Sequence, residues 1–164
     1  MCCSGVLFGI VEVPPPEPVA ALLAHGLVVL PGEGRPFFKQ PCPAWVGRKC
    51  TIYADRPSRC RSYFCSNIYR VSVGELTAAQ AKAKIEQALV QVSELEGMLT
   101  DSDAAGTDAA RPLRERCHSE LERLGALNDD PGAAAAAFEL MMGVDRLESM
   151  LAADFRMPSP ARVP

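Results

Sequence analysis

The chain has 164 residues, 48% of them hydrophobic, and its formal net charge at pH 7 is -3. This length allows one domain with a sizeable core, or a small domain with a helical appendage, and the hydrophobic content excludes disorder throughout. The mild net charge provides no general attraction to nucleic acid, and no apolar run reaches the roughly 20 residues of a membrane-spanning helix. We therefore expect neither nucleic acid nor a membrane as a partner.

The first residues of the chain, MCCSGVLFGIVEV, have neither the basic start nor the small-residue cleavage site of a secretory signal peptide. This favours a cytoplasmic protein, in which the seven cysteines stay reduced. In a reducing compartment, clustered cysteines usually bind metal or take part in redox chemistry. Disulfides and unconnected core thiols are the alternatives.

Short elements are predicted in the first part of the chain. The apolar run at residues 19–24 favours a short helix, which Gly26 ends because glycine readily adopts a left-handed conformation. β-Rich runs favour strands at residues 4–13, 27–30 and 37–40.

The next stretch predicts a chain reversal followed by a short helix. Gly47 suits the bend of a tight reversal, and residues 51–53 are β-prone. Asp55 or Ser58 can cap a helix in which Pro57 occupies the first turn.

Alanine, leucine and glutamate dominate after residue 72, and three amphipathic helices are predicted there. The first, at 76–99, has Thr77 as its cap. The second begins near Pro112, and the third runs from Ala133 to Phe155 after the turn signal NDDPG. The apolar faces comprise Ile85, Leu89, Val92, Leu95 and Leu99; Leu113, Cys117, Leu121 and Leu124; and Phe138, Met141, Val144, Leu147, Leu151 and Phe155.

These patterns together predict an α+β protein with two parts. A small, loop-rich cysteine-cluster domain occupies residues 1–72, and an antiparallel region of about three helices occupies residues 73–156. A flexible tail follows at 157–164. The third helix carries more apolar residues than one face holds, which favours burial against the cysteine domain, a protein partner or a second copy of the chain.

Six of the seven cysteines fall in two groups, which are Cys2 with Cys3, and Cys42, Cys50, Cys60 and Cys65. The second group has no C-x2-C knuckle, so ordinary zinc-finger spacing does not apply. Residues 48–70 hold six basic residues against Asp55 alone. Four sulfur donors suit Zn2+ or an iron–sulfur cluster, and nearby arginines would offset thiolate charge and lower the thiol pKa values.

The stretch CTIYADRPSRCRSYFC, residues 50–65, resembles the hallmark C-x-IY-x-x-RP-x-x-CR-x-[YF]-x-C of the YkgJ-type cysteine-cluster proteins, described as a zinc- or iron-chelating domain. The upstream PCPAW and CCSGVLF resemble other family elements, so the similarity spans roughly residues 2–70. The resemblance implies a zinc or iron centre, the iron as an ion or in an iron–sulfur cluster. It also implies metal ligands at Cys2, Cys3, Cys42, Cys50, Cys60 and Cys65.

The start of this sequence departs from the family pattern, because members usually carry further cysteines just before the CC pair. Either the start is truncated relative to the family, or this chain uses fewer ligands. Six cysteines still exceed the four that one tetrahedral zinc requires. Two of them would then be accessory or redox-active, or a larger cluster would form.

Three functions are compatible with these features. The first is a metal-binding protein whose centre organises the N-terminal domain. The second is an iron–sulfur-dependent enzyme, because flagellin lysine-N-methylases carry a related cysteine signature, although no S-adenosylmethionine loop is recognisable here. The third is a helical interaction or oligomerisation module with a purely structural metal. No catalytic residue is assigned.

Overall fold

A computed structural model describes residues 1–47, 49–99, 111–127 and 130–157. In this part of the chain the fold is α+β, as predicted, with six helices and five short strands. The chain divides into two compact units, the first from Met1–Tyr63 with Leu99–Arg123 and the second from Phe64–Met98 with Leu124–Pro164. The domain boundaries predicted from the sequence, residues 1–72 and 73–156, stay a prediction.

A three-stranded antiparallel sheet forms the centre of the first unit. Its strands are β1 (Ile10–Glu12), β2 (Val29–Leu30) and β3 (Phe37–Lys39), in the order β1-β3-β2. Phe38, in the middle of β3, is opposite Val11 on one side and Val29 on the other. This central position buries Phe38 almost completely, at 1% exposure.

Helix α1 (Val19–Ala24) and a β-hairpin complete the core of the first unit. The hairpin consists of β4 (Trp45–Val46) and β5 (Lys49–Cys50), with Gly47 at φ +55° in its turn. The hydrophobic cluster at the centre comprises Val13, Leu22, Leu27, Phe38, Ala44 and Ile52. The short helix, the second and third strands and the Gly47 reversal were all predicted from sequence.

One predicted strand is shorter than expected, and one β-prone stretch is not a strand. Only the end of residues 4–13 forms a strand, because Gly5 has φ +78° and the adjacent Val6 and Leu7 are both buried, which breaks alternation. Residues 51–53 form a turn instead of a strand. There, the backbone N–H and hydroxyl of Thr51 both donate to the Ala44 carbonyl, at 2.8 and 3.0 Å, which closes the hairpin.

Helix α2 (Ser58–Ser62) follows the hairpin, and helix α5 (Leu113–Gly125) belongs to the first unit as far as Arg123. Neither Asp55 nor Ser58 caps α2 with its side chain, contrary to prediction. Leu113 and Cys117 are buried as predicted.

The second unit contains α3 (Ser66–Ser72), α4 (Ala78–Met98) and α6 (Pro131–Asp154). Lys84 pairs with Asp154 at 2.7 Å, whereas Met98 and Leu95 lie against Gly143. The N-terminal part of α4 therefore lies beside the C-terminal end of α6, and the C-terminal part of α4 beside the middle of α6, so the two helices are antiparallel. The Asn67 amide group of α3 donates to the Ala81 carbonyl of α4 at 2.9 Å.

The helix caps observed in the second unit agree with the capping signals in the sequence. The Thr77 hydroxyl accepts a hydrogen bond from the Gln80 backbone N–H, and the Gln80 side-chain oxygen accepts one from the Thr77 N–H. The Asp130 carboxylate accepts from the Gly132 N–H at 2.8 Å, and Pro131 occupies the first position of α6. The remainder of the NDDPG signal includes Asn128 and Asp129, outside the described residues.

The predicted apolar faces of α4 and α6 are only partly correct. Val92, Leu95, Leu147 and Leu151 are buried, but Ile85 and Leu89 are each 39% exposed, and Phe138 and Met141 are 59% and 51% exposed. Instead, α6 turns Leu140 and Gly143 inward, because the missing side chain of Gly143 admits Leu95. A Cβ at Gly143 would lie 2.9 Å from a Leu95 methyl group.

Among the described residues, no helix is both long enough and apolar enough to cross a bilayer. The polar break at 100–108 lies outside the described residues, as does all of the predicted tail except Met157.

Candidate functional site

The turn that carries Cys2 and Cys3 is attached directly to the loop that carries Cys42. The Cys42 N–H donates to the Cys3 carbonyl at 2.8 Å. Gly5 makes this geometry possible, since its φ of +78° is costly for residues with a side chain. Val6 and Leu7 are 4% and 2% exposed, and their burial fixes the turn from its other end.

The hairpin and helix α2 contribute the next two cysteines. Cys50 ends β5 opposite Trp45, and Cys60 lies in the middle of α2. Glu17, far away in sequence, accepts a hydrogen bond from the Ser58 backbone N–H at 2.7 Å. This carboxylate satisfies a donor at the start of α2, so it supports the helix that holds Cys60. Sequence reasoning missed Glu17, because no local pattern links it to Ser58.

Three of these cysteines share one support. Cys42, Cys50 and Cys60 are half-buried and all pack against the same hydrophobic cluster, which contains Phe38, Ala44 and Ile52. Since Cys3 is hydrogen-bonded to Cys42, four cysteines from separate segments gather beside the core of the first unit. We call Cys3, Cys42, Cys50 and Cys60 the thiol tetrad.

The thiols of the tetrad influence one another electrostatically. The pKa of Cys60 is raised to about 12, first by burial and then by Cys3, Cys42, Cys50 and, least, Cys2. Burial also raises the pKa of Cys42. The Ala44 N–H donates a hydrogen bond to the Cys42 sulfur and lowers this pKa, whereas Cys3 and Cys50 raise it. Burial and then Cys50 raise the pKa of Cys3. Every pair within the tetrad therefore interacts.

Positive charge compensates the thiols less than the sequence suggested. Arg56 lowers the pKa of Cys3, as predicted for a neighbouring arginine, but burial has the larger effect, so the pKa values of Cys3, Cys42 and Cys60 are all raised. Arg59 is instead engaged by Glu12, at 3.4 Å. Arg56 also donates to the Tyr53 carbonyl at 3.0 Å and lies 3.7 Å above the Tyr53 ring.

The remaining cysteines have different surroundings. Cys2 is exposed beside the tetrad, and Cys117 is 2% exposed on α5. Cys65 is buried in the second unit, directly before α3, and its carbonyl accepts a hydrogen bond from the Tyr69 N–H. The predicted ligand role of Cys65 stays a prediction.

Each of the two histidines lies near a carboxylate. His25 lies 3.7 Å from Asp55 at the end of α1, and His118 lies 3.2 Å from Glu122 on α5. Thus Asp55, predicted as a helix cap, faces a histidine instead.

The tetrad meets the chemical requirement for a thiophilic metal but is not arranged as a coordination sphere. All seven cysteines are in the described part of the chain and none forms a disulfide. Among the described residues, no three Cys, His, Asp or Glu side chains are grouped so that they hold one ion.

Comparison with known proteins adds no identity, since no family model, curated protein or solved structure matches the chain.

Proposed function

We propose that the first unit binds a thiophilic metal, Zn2+ or iron, through the thiolates of Cys3, Cys42, Cys50 and Cys60. The observation that carries this proposal is the tetrad itself, in which Cys42, Cys50 and Cys60 pack against one hydrophobic cluster and Cys3 is joined to Cys42 by a backbone hydrogen bond. Four thiolates match the tetrahedral preference of zinc and the ligand number of common iron–sulfur clusters. The resemblance of residues 50–65 to the YkgJ-type hallmark agrees with it, and family membership is part of the proposal.

The metal's role in this proposal is to organise the first unit. The strands there have only two or three residues each, so they provide little regular hydrogen bonding. A bound dication would replace the thiol protons and draw the four sulfurs together, which links metal binding to local folding. Arg56, close to Cys3, would offset part of the excess negative charge.

A reducing compartment such as the cytoplasm belongs to the proposal, because thiols there remain available to metal. The colour of the purified protein distinguishes a zinc centre from an iron–sulfur centre. A colourless protein with bound zinc would favour a structural centre, whereas a brown protein with charge-transfer bands would favour the iron–sulfur alternative and reopen the predicted enzymatic role.

The proposal is tested by metal analysis of anaerobically purified full-length protein. We expect about one zinc ion or one iron centre per chain, retained on desalting, and its loss in Cys60→Ser. That variant should lose structure in the first unit yet keep much of the helical circular dichroism of α4 and α6. Cys117→Ala, which removes a thiol from α5, is the control and should keep its metal. Metal-free protein that stays folded with a chelator would refute the proposal.

We propose, as a second function, that the second unit associates with a copy of itself or another protein. The observation is that α6 has apolar residues on opposite sides, with Leu140 and Leu147 buried and Phe138, Met141 and Met142 exposed by 59%, 51% and 46%. Exposed apolar residues clustered on one face are typical of interaction surfaces.

Sedimentation across a range of concentrations tests self-association. Phe138→Ser should shift any dimer towards monomer and change the free energy of unfolding by less than about 1 kcal/mol, because the ring is mainly exposed. Ala136→Ser is the control, because Ala136 is exposed on the same helix but lies about 160° around it from Phe138. A wild-type protein that is monomeric at every concentration would exclude self-association and leave a different protein as the only partner of this face.

A further inference from the structure

Helix α6 carries a second apolar stripe on the side away from its buried residues. Phe138, Met141, Met142 and Asp145 are all exposed and follow the spacing i, i+3, i+4 and i+7, so they share one face of the helix. The buried Leu140 lies about 160° around α6 from Phe138. Three apolar residues at this spacing are typical of a helix that packs against another element, here on its exposed side.

The charge around this stripe has one sign. In residues 89–98 of α4 and 131–145 of α6, every charged residue is acidic and exposed, namely Glu94, Glu96, Glu139 and Asp145. The two stretches are neighbours, because Leu95 and Met98 lie against Gly143. Helix α4 also ends there, at Met98, and the carbonyl end of a helix adds partial negative charge. The first basic residue that follows, Arg146, lies about 80° around α6 from Phe138.

We call the stripe Phe138, Met141 and Met142, together with the four surrounding carboxylates, the acidic–apolar face. Its charge distinguishes between the possible occupants. A second copy related by two-fold symmetry would bring the same carboxylates opposite one another, and like charges across an interface oppose association. Nucleic acids and anionic membrane surfaces are repelled for the same reason. A cationic occupant with an apolar side gains from both properties of the face.

We propose that the acidic–apolar face binds an amphipathic helix with a basic polar side, supplied by another protein. This inference rests on the association proposed for the second unit and names the chemistry of the partner. The partner's apolar residues cover the stripe, and its lysines or arginines lie beside Asp145 and Glu139. Residues 134–145 extend for about 17 Å, so three turns of the partner helix span the face.

The side chains of the stripe suit recognition of a pattern more than of one exact sequence. Phe138 provides a rigid aromatic anchor, the kind of residue that contributes strongly to binding. Met141 and Met142 are unbranched, and their thioether side chains adapt to differently shaped apolar residues. A designed peptide with the right charge and apolar spacing is therefore an adequate probe of this face.

The experiment measures the fluorescence anisotropy of a labelled helical peptide made of leucine and lysine, titrated with the full-length protein. One control peptide has the same residues in scrambled order, and another has glutamate in place of every lysine. We expect the lysine peptide to bind about tenfold more tightly than either control. Phe138→Ser should weaken its binding about tenfold and Asp145→Asn about threefold. Met142→Ser provides a second apolar variant, and Ala136→Ser, about 160° from Phe138, should bind like wild type.

The other outcomes overturn the inference and separate it from the proposed association. Equal binding of the lysine peptide and either control, or equal binding by wild type, Phe138→Ser and Met142→Ser, would show that the face does not recognise a basic amphipathic helix. A wild-type dimer that Phe138→Ser dissociates, and that does not bind the lysine peptide, would make a second copy the occupant; the association would then stand without this inference. A monomeric wild type that binds none of the three peptides would overturn the inference and the proposed association together.

Discussion

Replacing Glu17 tests whether the support of α2 matters for the thiol tetrad. The Glu17 carboxylate accepts the Ser58 N–H at 2.7 Å and is half-buried. A hydrogen bond to a charged group contributes about 1.5–3 kcal/mol, and partial exposure favours the lower value. Since α2 carries Cys60, Glu17→Ala should destabilise the metal-ready form of α2 by about 1.5 kcal/mol, which weakens zinc binding by about tenfold.

The measurement is a zinc competition titration against a chelator of known affinity, at fixed pH and without oxygen. Glu33→Ala is the matched control, because Glu33 is an exposed glutamate in the loop before β3. Glu17→Gln should fall between the two, since its amide oxygen can still accept the hydrogen bond without the charge. Equal zinc affinity in Glu17→Ala and Glu33→Ala, with both proteins folded, would refute the reasoning.

Three further predictions concern the thiols and the helix packing. Because the pKa values of Cys3, Cys42 and Cys60 are raised, zinc must displace at least three protons at neutral pH, so the logarithm of its association constant should rise by about three or more per pH unit between about pH 6 and 8. A slope near one in chelator competition would contradict this. In metal-free protein, folding stability should fall as pH rises from about 9 towards about 12, since folded Cys60 keeps a proton that the unfolded chain releases; a flat stability profile over this window would count against it. Gly143→Val should lower the unfolding free energy by about 1–3 kcal/mol in urea titration, because its side chain would meet the buried Leu95; an unchanged midpoint would show that α4 and α6 separate easily.

Local signals in the sequence predicted local structure well. Gly26, at φ +80°, ends α1 as expected, and Gly47 bends the hairpin at φ +55°. Thr77 caps α4 with the help of Gln80, three residues later. In each case the interacting atoms are only a few residues apart, so propensity and spacing contain the necessary information.

Long-range contacts were not predictable in the same way. The bond from Ser58 to Glu17 joins residues 41 positions apart, and nothing near either one indicates it. The buried face of α6 depends on Gly143, where an absent side chain allows Leu95 to approach. Periodicity counts large apolar residues, and it therefore selected Phe138 and Met141 over a glycine.

The sequence predicted the candidate site as a set of cysteines but not their relations. Cys3, Cys42, Cys50 and Cys60 come together through the Cys42–Cys3 hydrogen bond and a shared hydrophobic cluster, neither of which spacing reveals. The thiol pKa values depend on how much solvent burial removes. The sequence predicted that neighbouring arginines would lower the thiol pKa values. That prediction overestimated the arginines, because desolvation has the larger effect on the pKa.

The most direct test of the central claim is X-ray absorption spectroscopy at the metal edge of the loaded protein, which counts the atoms bound to the metal. A tetrad of thiolates predicts a shell of about four sulfur atoms, at about 2.3 Å if the metal is zinc, without nitrogen or oxygen neighbours. A shell made mainly of nitrogen or oxygen atoms would place the metal elsewhere in the chain and contradict the account.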